Sequence, residues 1–211
     1  SEASAGYGGS APKPLTRLTL KNTTLVARSG EPVRVGVPLP KSANITSTSQ
    51  ITLYDASGSA VPVQVAALAR WTGAPDDTSS PLRWVLLSFA GSVQANSSAS
   101  YSLFRYGTNP NPASSLSVTD DGTTLRVSTG PAVFTLSRSS ADLFTGVTVG
   151  GQSLLKTGNG IILKDNAGKT YRADLSKATV TVESRGKNEA VVKLSLIHIS
   201  EPTRLRRISY A

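Results

Sequence analysis

The chain has 211 residues, 22 Lys and Arg against 13 Asp and Glu, a formal net charge of +9, one His, and neither Cys nor Met. That composition excludes a disulfide scaffold, a Cys/His zinc site and cysteine catalysis, and leaves His198 as the sole imidazole for a Ser-His-Asp triad. The length suits one large or two small domains, and no apolar run approaches the roughly 20 residues of a membrane helix.

Ser1–Pro14 is small, polar and rich in Gly and Pro, without apolar periodicity. It reads as a lead-in segment, and Ser1–Ser10 lacks the basic-then-apolar order of a secretory leader. From Leu15 the apolar period is two: Leu18/Leu20, Val33/Val35/Val37, Ile51/Leu53, Val61/Val63/Val65 and Tyr101/Leu103 alternate with polar residues. Half-buried strands show that pattern. Trp84-Val85-Leu86-Leu87 is continuous and suits a central strand covered on both faces. Turn residues stand between the strands: Ser29-Gly30-Glu31-Pro32, Asp55-Ala56-Ser57-Gly58 and Thr72-Gly73-Ala74-Pro75.

Asn109-Pro110-Asn111-Pro112 then interrupts the pattern. Proline bars both a helix interior and a central strand, so a domain boundary is expected near Tyr106–Ala113. Alternation resumes at Leu116/Val118, Leu125/Val127, Val133–Leu136, Val147/Val149, Ile161–Leu163, Val180/Val182 and Val191/Val192. Asp120-Asp121-Gly122, Gly150-Gly151 and Asp165–Gly168 supply turns. No 12-residue stretch keeps a helical stripe. The expectation is an all-β protein, sandwich or barrel, with a first domain over 15–108 and a second over 113–193.

The positive charge does not point to nucleic acid. Arg17, Lys21, Arg28, Arg34, Lys41, Arg70, Arg83 and Arg105 are scattered singly rather than clustered with interleaved aromatics. The one dense cluster, Arg204, Arg206 and Arg207, falls in a tail of different character. Leu194–Arg204 reads LSLIHISEPTR, which resembles the conceptual translation of a transposase-type sequencing-library adapter. Ile208–Ala211 resembles the next adapter stretch, with Leu205–Arg207 as a sample index. Residues 194–211 are therefore expected to be an artefact outside the fold, which would make the authentic chain a gene fragment ending at Lys193. The stretch can nevertheless imitate a strand through about Ile199, which Pro202 should end.

Few constellations carry chemistry. Asp76-Asp77 supplies too few oxygens for calcium, and a solvated acidic loop is the plainer reading. No metal or cofactor is expected. Asn22-Thr23-Thr24, Asn44-Ile45-Thr46 and Asn96-Ser97-Ser98 match the glycosylation pattern, which matters only in a eukaryotic secretory pathway. Tyr54, Tyr101, Tyr106 and Tyr171 are candidate bases, although strand tyrosines commonly serve packing. Arg70-Trp71 and Arg83-Trp84 are the most informative pairs. Strand neighbours point to opposite faces, so one reading puts each Arg outward and each Trp inward. The other has Arg70, Trp71, Arg83 and Trp84 lining a sugar groove, the rings stacking on pyranose faces and the guanidinium groups binding a uronate carboxylate.

The blocks Gly36–Lys41, Val61–Gln64 leading to Leu68–Trp71, and Arg83–Phe89 resemble the N-terminal β domain of the exo-rhamnogalacturonan lyase-like proteins. Thr129-Gly130-Pro131 with Val133-Phe134 and Leu143-Phe144 resembles the start of that family's second domain. The likeness spans roughly Leu15–Lys193. It departs at Thr72–Leu82, which is longer than the family's Trp-x-Asp-Gly-Ser-like turn and carries Gly73, Asp76 and Asp77. The resemblance implies a small RIFT-type β-barrel followed by a β-sandwich, and a catalytic α/α toroid after Lys193. It implies a secreted, extracellular or periplasmic bacterial parent that cleaves pectic polysaccharide by β-elimination. This portion would then be non-catalytic. The alternatives are a carbohydrate-binding or cell-surface adhesion module, or a structural β spacer. Neither nucleic acid nor membrane is an expected partner.

Overall fold

The computed structural model describes residues 13–112, 116–156 and 158–196. The expected lead-in up to Ala11-Pro12 and the tail beyond Leu196, including His198, lie outside the described residues. The chain divides into two compact units, residues 1–112 and 113–211. Among the described residues, strands and three short 3-10 turns are the only regular elements, so the all-β expectation is met.

The first unit contains β1 (Thr16–Asn22), β2 (Arg28–Pro38), β3 (Ile51–Asp55), β4 (Ala60–Val61), β5 (Val63–Arg70), β6 (Leu82–Val93) and β7 (Ser97–Arg105). They form two antiparallel sheets, ordered β1-β7-β3-β4 and β2-β6-β5. The barrel expected from the resemblance is not closed. The chain passes from one sheet to the other at Pro62, between β4 pairing with β3 and β5 pairing with β6. Proline has no amide proton to offer either ladder, so the corner falls where a ladder bond would be missing anyway.

The period-two residues read from the sequence meet between the sheets. Val37, Ile51, Leu53, Val63, Val85, Leu87, Phe89, Tyr101 and Leu103 are buried in one cluster, with Leu18, Leu20, Val33 and Val35 packed against it. Each such burial is worth roughly 1.5–3 kcal/mol, which is why alternation rather than strand propensity sets the register. The connection after β2 covers one end of the core with Leu39 and Ile45. It is tied down by Leu39 N–H to the Arg83 carbonyl at 2.8 Å and Leu82 N–H to the Ile45 carbonyl at 2.7 Å. At Gly91 of β6 an added Cβ would stand 2.8 Å from both Leu20 Cδ1 and Val33 Cγ2, so glycine is what allows β1 and β2 to close over β6.

The second unit is built more thinly. It contains β8 (Ser117–Asp120), β9 (Thr124–Ser128), β10 (Ala132–Ser137), β11 (Gly146–Val149), β12 (Gln152–Ser153), β13 (Ile162–Lys164), β14 (Thr170–Arg172), β15 (Thr179–Arg185) and β16 (Ala190–Ser195). β12-β11-β10-β9-β8 form a five-stranded meander, while β13-β14 and β15-β16 are separate two-stranded ribbons. Its buried apolar residues, among those described, are Leu125, Leu136 and Leu175. Of the run Ile161–Leu163, Ile162 and Leu163 enter β13 while Ile161 precedes it, and all three side chains are at least half exposed. Leu194 and Ser195 pair with Val180 and Thr179, so β16 runs two residues into the adapter-like stretch.

Candidate functional site

The loop between β5 and β6 and the strand ends that carry it hold all four candidate residues. Their disposition follows from two irregularities in the β5–β6 ladder. Register steps from Ala67–Val85 to Ala69–Trp84 and then to Arg70–Leu82, leaving Leu68 and Arg83 without a direct cross-strand partner. Such two-against-one opposition re-aims side chains. Leu82 and Val85 both point into the core, and Arg83 and Trp84 between them are both exposed.

Arg70 and Trp71 take the reverse of the Arg-outward, Trp-inward reading. Arg70 is 8% exposed, and its guanidinium donates to three carbonyls: Nε to Pro75 at 2.7 Å, and Nη1 to Thr46 at 2.9 Å and Ser80 at 2.6 Å. It organises the loop from beneath and is closed to a ligand. Trp71 is 38% exposed, held by its amide to the Pro81 carbonyl at 3.0 Å. The physical reason is that a loop crossing a core edge leaves inward carbonyls without ladder partners, and only a forked cation supplies several donors there.

Arg83 lies over Trp71 with its Cζ 5.3 Å from the ring centroid. Trp84 is 40% exposed, and its six-membered ring reaches to 3.9 Å from where a side chain on Gly36 would begin, beside Leu68. β6 is the central strand of its sheet, as its apolar run suggests, but its outward face is open at Trp84 rather than covered along its length. This end of the sheet carries two contacts, Trp84 beside Leu68 and Gly36, and Arg83 stacked on Trp71. An exposed aromatic face with a polarised ring can stack on the apolar face of a sugar.

The outer face of the four-stranded sheet carries a second feature, a groove of about 590 Å³ whose lining includes Arg17, Tyr54, Phe104, Arg105 and Tyr106. Arg17, Ser102 and Tyr54 stand on one rung of the ladder, so they share a face. Tyr54 and Phe104 meet edge to face at 5.5 Å, and the Arg105 Cζ lies 4.6 Å from the Tyr106 ring centroid. The sequence reading did not single out this groove. Arg105-Tyr106 repeats the Arg-aromatic dipeptide of the other face, and that was the available signal. What remained hidden was that one rung places Arg17 beside Ser102, 85 positions later, and across from Tyr54.

The acidic pairs serve turns. Asp77 accepts the amide and hydroxyl of Ser79 at 3.0 and 2.6 Å, which holds its carboxyl below the usual range. Asp121 accepts the amides of Thr123 and Thr124, with the same effect. Asp120 is gripped by both Arg138 Nη atoms at 2.8 and 2.9 Å and pulled down to about 2. Asp55, Asp77, Asp120, Asp121 and Asp174 are all moved downward, the direction opposite to that of a general acid. Among the described residues, no group of three or more His, Cys, Asp and Glu comes together.

The remaining candidates stand apart from both features. Tyr101 is buried against Phe89 and its hydroxyl accepts the Ser92 amide at 3.1 Å. The Tyr171 hydroxyl donates to Asp165. Asn22 is buried and donates to the Val26 and Gln94 carbonyls, whereas Asn44 and Asn96 are exposed at left-handed turn positions.

Comparison with protein-family models and with curated proteins found no match for the chain.

Proposed function

We propose that this chain is a non-catalytic β module that binds polysaccharide through the Leu68/Trp71/Arg83/Trp84 face, as the N-terminal portion of a secreted rhamnogalacturonan lyase-like protein would. The observation that carries this reading is the pair of tryptophans, each about two-fifths exposed, on one sheet end with Arg83 stacked on Trp71. Burying so much ring against a ligand compensates for leaving it in water. The carboxylates support a binding rather than a catalytic role, because those with shifted acidity are held by turn donors and an arginine. A rhamnogalacturonan chain presents both surfaces the face would meet: pyranose rings for the indoles and uronate carboxylates for Arg83.

Affinity electrophoresis on rhamnogalacturonan tests the reading. The protein should be retarded, Trp84→Ala should weaken binding about tenfold or about 1.4 kcal/mol, and no ultraviolet-absorbing unsaturated sugar should be released. Equal mobility with and without polymer would instead favour the spacer reading. Release of unsaturated sugar would make the chain an enzyme.

A further inference from the structure

We infer that Arg34 is a second carboxylate-reading residue of the tryptophan face, one that takes the carboxylate of a uronate whose ring packs on Trp84. The inference rests on the proposed polysaccharide binding and deepens it, because it makes one named residue the source of selectivity for acidic over neutral sugars at that ring. Its basis is where the strands place these side chains. On β2, Val33, Val35 and Val37 pack on the core, and on β6 Val85, Leu87 and Phe89 do. Alternation turns Arg34 and Gly36 of β2, and Trp84 and Ser88 of β6, to the opposite face. Gln64, next to the buried Val63 of β5, shares that face. The register sets Arg34 and Gln64 on either side of Ser88, so a guanidinium, a small hydroxyl and an amide stand in one row across three strands. Arg34 is exposed, whereas Ser88 at the centre of the row is buried, so the cation and not the hydroxyl is what a ligand meets.

The indole leans towards that row. Trp84 is paired with Pro38, yet its six-membered ring lies 3.9 Å from where a Gly36 side chain would begin, one outward position nearer Arg34. Leu68 Cδ1 reaches the same point at 4.0 Å. The missing side chain at residue 36 is what lets the ring leave its own rung. Gly36 and Arg34 are two residues apart, roughly 7 Å along the strand. A pyranose seated on the ring thus holds its exocyclic carboxylate within the span of the Arg34 side chain, whose planar fork takes both carboxylate oxygens. Charge on this face has one sign. Among the described residues of β2, β5 and β6, no outward position carries a carboxylate. Glu31 of β2 stands opposite Gly91, where an added Cβ would meet Leu20 and Val33, and it pairs with Arg28 at 2.9 Å, so it lies off the face.

Affinity electrophoresis of the full chain, on rhamnogalacturonan and on the same polymer with its carboxyl groups reduced to alcohols, tests the residue. The wild-type protein should be retarded more by the acidic polymer. Arg34→Gln should weaken binding to that polymer about tenfold, as loss of a charge-assisted bond does. Its binding to the reduced polymer should stay unchanged, which also shows that the variant is folded. Arg34→Lys should recover part of the loss, because an ammonium keeps the charge without the fork. Trp84→Ala should weaken binding to both polymers. Arg126→Gln, which removes one positive charge from the second unit, should leave both unchanged. Equal wild-type retardation by the two polymers, wild-type behaviour of Arg34→Gln on the acidic one, an equal loss on both, or a loss no greater than that of Arg126→Gln would each overturn the assignment. Trp84-dependent retardation that persists through such a result leaves the polysaccharide reading standing, whereas no retardation of the wild type by either polymer sinks both.

Discussion

The side-chain amide of Asn109 makes both hydrogen bonds to the main chain of Val63: its Oδ1 accepts the Val63 amide at 3.2 Å and its Nδ2 donates to the Val63 carbonyl at 2.7 Å. An amide side chain thereby replaces a strand neighbour at the residue where the chain has just changed sheets after Pro62. The Asn-Pro-Asn-Pro segment is thus attached to the first unit rather than lying loose beyond it. Asn159 does the same for Phe144, with both bonds at 2.9 Å.

Asn109→Ala should therefore destabilise the first unit by about 1–3 kcal/mol, since it leaves a partly buried donor and acceptor unsatisfied. Asn109→Asp keeps the acceptor but loses the donor to Val63. Urea unfolding of both variants, with hydrogen exchange at the Val63 amide, checks this. Faster exchange should appear in Asn109→Ala and much less in Asn109→Asp.

Arg70 should behave as a structural residue. Arg70→Met removes a buried fork serving three carbonyls and should cost about 2–4 kcal/mol, with the 72–81 loop becoming sensitive to protease. Arg70→Lys should restore only part of the loss, because an ammonium cannot reproduce the spread of Nε and Nη1 donors. Arg83→Met should leave stability nearly unchanged and reduce polymer binding. Thermal melts and limited proteolysis distinguish the two arginines.

The Asp120–Arg138 pair sets an acid limit on the second unit. Its folded pKa of about 2 lies below the ordinary 3.8, so the folded state prefers the charged carboxylate. The stabilisation is present above the unfolded value and is lost as pH falls from about 3.8 towards 2. Asp120→Asn should lower the melting temperature of this unit at pH 6 and flatten its decline between pH 4 and pH 2 (about the span of the two pKa values). Parallel wild-type and variant curves over that range would refute it.

Protection against hydrogen exchange should be uneven. Among the described residues, thirteen of the sixteen buried apolar ones belong to the first unit and three to the second. Local opening follows buried apolar contact, so amides of β13–β14 should exchange first, those of β9–β10 later, and those of β6 and β7 last. Slow exchange in β13 equal to that in β6 would contradict the assignment of the core.

The sequence by itself determined the strand content and most inward faces. Period-two alternation at Leu18/Leu20, Val33/Val35/Val37, Ile51/Leu53 and Tyr101/Leu103 survives into the structure, because burial of one face is a local property of each strand. Turns at Asp55–Gly58 and Asp120–Gly122 were equally legible, since their chemistry spans only four residues. Only tertiary structure decided the rest. The sheet change at Pro62 depends on which strands are near, not on proline alone. The ladder irregularities at Leu68 and Arg83 break the simple alternation here, so a two-faced rule placed Arg83 outward correctly but misplaced Arg70, Trp71 and Trp84. The Arg17–Ser102–Tyr54 rung joins residues 37 to 85 positions apart. Such a neighbourhood is set by strand order, and strand order follows from the summed burial of a whole core rather than from any residue's own neighbours.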